Sequence, residues 1–297
     1  MSDKFSRAHL IEWVSECLER AGLVYGHGTE SAWDEAAWLV LHALGLSPQE
    51  SLPDPGQAVS AAERSRVEQL LERRIGTRKP LAYLIQSAWF CGLEFFVDER
   101  VLVPRSPIAE LVTNGFFPWL QQPPSSVLDL CTGSGCIAVA CALAFPDAEV
   151  VATDISEQAL AVARINRQRY GLEERLRLYA ADVFEGLPQR RYDLIVSNPP
   201  YVDARDMAAL PPEYRQEPAL GLAAGEDGLE IVRRILRHAP NYLSPQGLLT
   251  VEVGNSQSAL LEVFPDVPFL WPEFEHGGGG VFMLSAQDLA VHRQVFQ

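Results

Sequence analysis

Four consecutive residues, Asn198-Pro199-Pro200-Tyr201, close the apolar run YDLIVS and hold an amide and a phenol on either side of two prolines. Neither proline can donate a ladder hydrogen bond, so a buried strand must end here abruptly. Both fix their own φ angles, and without N–H groups they leave nearby carbonyls free to face a ligand. Asn198 offers an acceptor oxygen and donor hydrogens; Tyr201 offers a flat face. Such a set suits a planar –NH2 group. The Asn198 oxygen and the Pro199 carbonyl take its two hydrogens while the Tyr201 ring lies on its plane. A nitrogen held this way presents its lone pair in one direction. In-line displacement at a sulfonium methyl alongside would then need positioning more than acid–base help.

Upstream, DLCTGSGCIAVA places Gly133 and Gly135 between a strand and a helix. The stretch Gly133 to Ala138 satisfies the relaxed G-x-G-x-x-[GA] pattern, and Asp154 follows about 20 residues on, where an acid for ribose hydroxyls belongs. Glycines let backbone approach a ligand, and the acid accepts the ribose protons. The turn therefore points to an adenosyl cofactor without choosing among several. Asp129, just before the glycines, could offset a cofactor's positive group and would be a poor neighbour for pyrophosphate. Asp182, in AADVFEG, ends a third strand where it and the Val183 backbone could flank an adenine edge. Cys131, Cys136 and Cys141 are five apart, which fits no zinc pattern, and the six histidines are scattered, so no metal is expected.

The elements that must position these residues can be read from periodicity. Residues 1–87 read as a helical domain. Leu10, Ile11, Val14 and Leu18 recur at helical spacing before Gly22, TESAWDEAAWLVLHALGL opens on a Thr–Ser cap region, and SAAERSRVEQLLERRI is a third such segment. The short basic ERRIGTRK at 72–79 reads as a solvated helix end. Residues 88–105 are aromatic and β-branched around Asp98-Glu99-Arg100, which reads as a hairpin linker. From Val127 onward, strands alternate with helices, the signature of an α/β doubly wound, mostly parallel sheet over 106–297. Its end, VPFLWPEFE-HGGGG-VFMLSA, reads as a strand, a glycine turn and an antiparallel last strand. The strand ending at Ser197 should lie beside the first, across the topological switch point where ligands bind.

Composition bounds the rest. Apolar content of 47% and charged content of 21% are those of a globular protein. No apolar run approaches the roughly 18–20 residues that span a bilayer, and the start lacks the apolar region of a signal peptide. Five cysteines without framework spacing point to a reducing cytoplasm. A net charge of −15 argues against an extended nucleic-acid footprint and suits a basic partner.

With these residues in view, the chain resembles the class I S-adenosylmethionine-dependent methyltransferases, and more narrowly the family that methylates glutamine side-chain amides in translation proteins. The likeness runs through KPLAYLIQSAWF, VLVPR, DLCTGSGCIAVA, AADVFE, SNPPYV and EPALGLAAGEDGL. One branch of that family modifies peptide-release factors and the other the third protein of the large ribosomal subunit, a basic protein. The release-factor branch carries an acid-rich motif after the linker and a glycine where Cys131 stands; PRSPIAEL and EVGNS are features of the ribosomal branch. The resemblance implies S-adenosylmethionine as cofactor. Thr132, Gly133, Ser134 and Gly135 would line its methionine and ribose part, with Asp129 nearby, Asp154 on the ribose, Asp182 and Val183 on the adenine, and Asn198 at the shared edge. Asn198, Pro199, Pro200 and Tyr201 would hold the glutamine amide, and Glu217 in the long segment 202–226 would help close over it. Glutamine methylation of release factors and methylation of an exocyclic amine in nucleic acid are the competing readings. A nicotinamide dehydrogenase would leave Asn198 to Tyr201 without a role, and a non-catalytic adaptor should tolerate loss of Asp154.

Overall fold

The computed structural model describes residues 6–47, 53–275 and 277–297. Its contacts divide the chain after Ala88 into two units, the first of which also takes in Pro211–Gln216. The first unit is built on α1 (Arg7–Arg20), α2 (Ala32–Leu44), α3 (Ala61–Thr77) and the short α4 (Leu81–Ile85). Each of the first three begins on a serine whose hydroxyl accepts an orphan N–H: Ser6 from His9, Ser31 from Asp34, and Ser60 from Glu63, whose carboxylate returns the bond. Gly45 ends α2 in the left-handed region at φ 69°. Leu10, Ile11, Val14 and Leu18 of α1 are all buried, as their spacing requires.

The basic end of α3 is different from the solvated end its composition suggests. Arg74 is fully buried, and its Nε donates to Glu35 Oε1 of α2 at 2.7 Å. Arg78 pairs with Glu213 of the inserted segment at 2.6 Å, and Glu213 also accepts the Val24 N–H at 3.2 Å. Burying one charge demanded the other, and helical periodicity carries no sign of that pairing.

At the start of the second unit, and beginning one residue before it, runs a two-stranded hairpin, β1 (Ala88–Phe90) and β2 (Leu93–Phe95), turning at Cys91-Gly92. Both turn residues have positive φ, 51° and 71°, as a two-residue hairpin loop requires. The hairpin turn thus precedes Asp98-Glu99-Arg100, which forms a separate bend with the Val101 N–H donating to the Asp98 carbonyl at 3.1 Å. After α5 (Ile108–Thr113) come β3 (Ser126–Leu130), α6 (Cys136–Ala144), β4 (Glu149–Asp154), α7 (Glu157–Arg169), β5 (Leu176–Ala180) and β6 (Tyr192–Ser197). Then follow α8 (Ala204–Ala209), α9 (Glu230–His238), β7 (Leu243–Glu252), α10 (Gln257–Val263), β8 (Val281–Ser285) and α11 (Ala286–Val291).

The sheet order is β5-β4-β3-β6-β7-β8, parallel except for the β7–β8 pair. β3 is buried along its whole length because helices cover both faces, which explains its apolar run in place of alternation. Leu130 pairs with Thr153 on one side and Ser197 on the other, so the segments after β3, β4 and β6 leave the sheet together. That is the switch point. The antiparallel last strand is present as read, but its companion VPFLWPEFE contributes only an isolated bridge from Leu270 to Met283. Pro268 and Pro272 interrupt its donors. His276 of the glycine turn lies outside the described residues. Among the described residues, no helix is long and apolar enough to cross a membrane.

Candidate active site

At the carboxyl ends of β3, β4 and β6 lies a cavity of about 510 Å³. Its floor is the glycine turn, and Thr132, Gly133 and Ser134 all line it. Gly133 sits at φ 56°, and a Cβ built there meets nothing within 4 Å, so the turn presents bare backbone to open space. Gly135 works elsewhere. It has φ 80°, heads α6, and a Cβ on it would stand 3.2 Å from the Ala163 Cβ, so it permits the close approach of α7 and does not line the cavity. Cys131 also has positive φ, 58°, where glycine is favoured. Burial together with Asp154 and Asp129 pushes its thiol up, so it stands as a neutral thiol.

Asp154, at the end of β4, reaches the turn: Oδ2 accepts the Gly133 N–H and Oδ1 the Ser156 N–H, both at 2.9 Å. Each oxygen retains a lone pair, which suits a vicinal diol. Burial raises its carboxyl above the ordinary carboxylate range, and the backbone donors oppose that. Asp129 lies beneath the turn, fully buried and off the cavity wall. Its Oδ2 accepts from the Thr132 hydroxyl, while Oδ1 has no hydrogen-bond partner. Burial pushes its carboxyl up to about 7 against the pull of Thr132. Asp182 and Val183 line the far wall, with Val183 at φ 58°. Asp182 is engaged by Arg234 of α9, Nη1 to Oδ1 at 2.8 Å, and Arg234 lines the cavity as well. Bare backbone over the turn, a tethered carboxylate and the enclosed volume together fit an adenosyl group.

Beside the turn, β6 delivers the Asn198 corner. Asn198 and Pro200 line the cavity. The Asn198 Oδ1 is buried without a hydrogen-bond partner, an unusual state for an amide oxygen. Pro199 is buried, and neither it nor Tyr201 lines the cavity. The Tyr201 hydroxyl donates to Glu252 Oε1 at 2.9 Å, and burial raises its phenol well above the ordinary range.

Glu217 departs from the role expected of it. Its carboxylate accepts two guanidinium N–H groups of Arg105, at 2.6 and 2.7 Å, and the Val103 N–H at 3.0 Å. With its side chain fully buried, it anchors the chain at 217 to the strap before α5 and has no face left for a substrate. The segment 202–226 also closes on itself, because Val202 exchanges backbone hydrogen bonds with Leu222 and Ala224.

Three residues that hold this site have no motif of their own. Arg105 and Ser106 fall inside a stretch whose sequence signal is a family likeness alone. Asn166 of α7 is fully buried and joins two segments: its Nδ2 donates to the carbonyls of Ser134 and Phe96, and its Oδ1 accepts the Phe96 N–H. The one available signal was an asparagine, a poor helix former, in the middle of a strongly helical segment.

The chain is similar to known methyltransferases. Residues 112–210 match the model of the Methyltransferase small domain, and residues 9–85 that of the PrmC N-terminal domain. The ribosomal protein uL3 glutamine methyltransferase of Francisella tularensis subsp. tularensis is 45% identical over 97% of this chain and 92% of its own. The protein of the same name from Bordetella pertussis is 48% identical over 94% of this chain and 95% of its own. Among solved structures, the hMettl16 catalytic domain in complex with MAT2A 3'UTR hairpin 1 aligns with a TM-score of 0.52 at 17% identity, over 84% of this chain and 90% of that one. At that identity the likeness is one of fold.

Proposed function

The chain belongs to the family of ribosomal protein uL3 glutamine methyltransferases, and from that membership we propose how its residues carry out the reaction. The larger unit has the class I methyltransferase fold, and the chain methylates a glutamine side-chain amide of a large-subunit ribosomal protein, with S-adenosylmethionine as methyl donor. When bound, S-adenosylmethionine supplies an electrophilic methyl carbon on a sulfonium. Gly133 would let it approach backbone, Asp154 would accept its ribose protons, Asp182 and Val183 would flank its adenine, and Asp129 would support the turn beneath it through Thr132.

An amide nitrogen is a weak nucleophile because its lone pair is delocalised into the carbonyl. The Asn198 oxygen and the Pro199 carbonyl accept its two hydrogens and keep electron density on nitrogen. Pro200 stiffens the corner, and Tyr201, off the cavity wall, anchors it to Glu252. Once methylated, the nitrogen would be strongly acidic and would release one proton to water. No dedicated base is required. The supporting observation is the buried Asn198 oxygen without a partner in the cavity wall, an acceptor waiting for a donor.

The test is Asn198→Ala assayed for methyl transfer to purified uL3. Turnover should fall at least about 100-fold, as for loss of one preorganised polar contact, with cofactor affinity retained. Near-normal turnover would remove Asn198 from the mechanism. Transfer to a peptide-release factor in preference to uL3, with both offered as purified proteins, would reassign the substrate.

A further inference from the structure

We infer that Glu252 is a positioning residue for the amide reaction: it fixes Tyr201, and through Tyr201 the Asn198 corner, against the strap at Ser106. The inference rests on the reading that this corner holds the glutamine amide.

Glu252 is the last residue of β7 and is buried, with only 5% of its surface exposed. Its neighbour Val251 pairs with Ser197, so it emerges beside the residue from which the corner departs. Oε1 accepts the Tyr201 hydroxyl at 2.9 Å, and Oε2 accepts a short bond from the Ser106 hydroxyl. Ser106 lines the cavity and directly follows Arg105, which holds Glu217. One carboxylate therefore joins the corner to a strap that also anchors the segment at 217.

The space around Tyr201 is shaped for this bond. Gly254 lies under the ring at φ 43°, and a Cβ there would stand 2.4 Å from the ring edge. Gly228 lies at φ 74°, and a Cβ there would stand 2.3 Å from the Tyr201 carbonyl. That carbonyl accepts the Ser256 hydroxyl at 2.7 Å. Ring, carbonyl and hydroxyl are thus each constrained, and the hydroxyl alone is constrained by an ionisable group. A buried carboxylate is a costly way to fill space, since burial raises Glu252 above the ordinary range against Ser106, Tyr201 and the charge of Arg105. Packing alone would be served better by an apolar side chain. What two hydroxyl donors on one carboxylate supply is direction: the phenol cannot swing without breaking a bond at the far end of the same group. In-line transfer needs that fixity, since displacement by about 1 Å can cost about 100-fold in rate.

The experiment measures steady-state methyl transfer to uL3 by the full chain and four variants, with cofactor affinity and thermal unfolding measured on each. Glu252→Gln keeps both bonds, its carbonyl accepting from Tyr201 and its amide donating to Ser106, so its kcat should stay within about threefold of the parent. Glu252→Ala and Tyr201→Phe should each lower kcat about 10- to 100-fold with KM and cofactor affinity nearly unchanged. The double variant Tyr201→Phe/Glu252→Ala should be no slower than Glu252→Ala, because both remove one bond. Parent-like kcat in Glu252→Ala, multiplied losses in the double variant, or equal losses in Glu252→Gln and Glu252→Ala would each overturn the assignment. Should Glu252→Ala fail to fold, Tyr201→Phe decides, since it keeps the ring and loses only the tether; parent-like kcat there overturns it too. A parent chain that transfers no methyl to uL3 overturns the functional reading itself, an outcome distinct from an active parent with indifferent variants.

Discussion

Asp129 shows how one residue can serve the turn and the charge balance together. Burial holds its carboxyl at about 7, above the ordinary value near 3.9, so the folded state keeps a proton that the unfolded chain has already lost. Between those two values the folded state binds more protons, and stability from this group falls as pH rises; above about 7 the deficit is constant. Asp129→Asn keeps the acceptor for Thr132 and removes the titration. The stability of Asp129→Asn minus that of the parent should therefore rise from pH 4 to pH 7 by a few kcal/mol and then flatten. Urea midpoints at several pH values read this difference, and a pH-independent gap would show that Asp129 titrates as an ordinary exposed acid.

At the scale of elements, α7 is more than a crossover between β4 and β5. Its Asn166 makes the bonds that tie the glycine turn, through Ser134, to the segment after β2, through Phe96. Asn166→Ala leaves the buried Ser134 carbonyl and the part-buried Phe96 backbone groups unpaired, at up to about 1–3 kcal/mol for each buried unsatisfied group. Thermal unfolding should fall by several degrees, and cofactor affinity should weaken because the turn loses its support. A variant with unchanged unfolding temperature would mean that water replaces the amide without cost. Glu217 and Arg105 act at the same scale, pinning a long segment by one buried pair and leaving the cavity wall to residues on the sheet ends.

For the whole molecule the governing quantity is charge. A net charge of −15 opposes polyanions and favours encounter with a basic ribosomal protein. Long-range attraction acts through the Debye length, which shortens from about 14 Å at 50 mM salt to about 6 Å at 300 mM. The KM for uL3 should rise several-fold over that interval while kcat stays within about twofold, because salt weakens encounter and leaves the enclosed chemistry alone. Steady-state kinetics across the salt range checks this. A KM indifferent to salt would assign recognition to apolar contacts.

Local patterns in the sequence marked most features that depend on neighbours along the chain, although the hairpin turns at Cys91-Gly92 and not at Asp98-Glu99-Arg100. Serine caps and apolar spacing marked the helices, βα alternation marked the parallel sheet, and proline and glycine at strand ends marked the segments that line the cavity. Partners distant in the chain were a different matter. Arg105 finds Glu217 and Tyr201 finds Glu252 only after folding, across 112 and 51 positions, and Asn166 meets Phe96 across 70. Glu217 looked like an acid closing over substrate and Arg74 like a solvated cation until their partners were in place. Periodicity records which face of an element is apolar, whereas the choice of partner for a buried polar group is made by the packing of elements, whose energy is short in range through space and blind to distance along the chain.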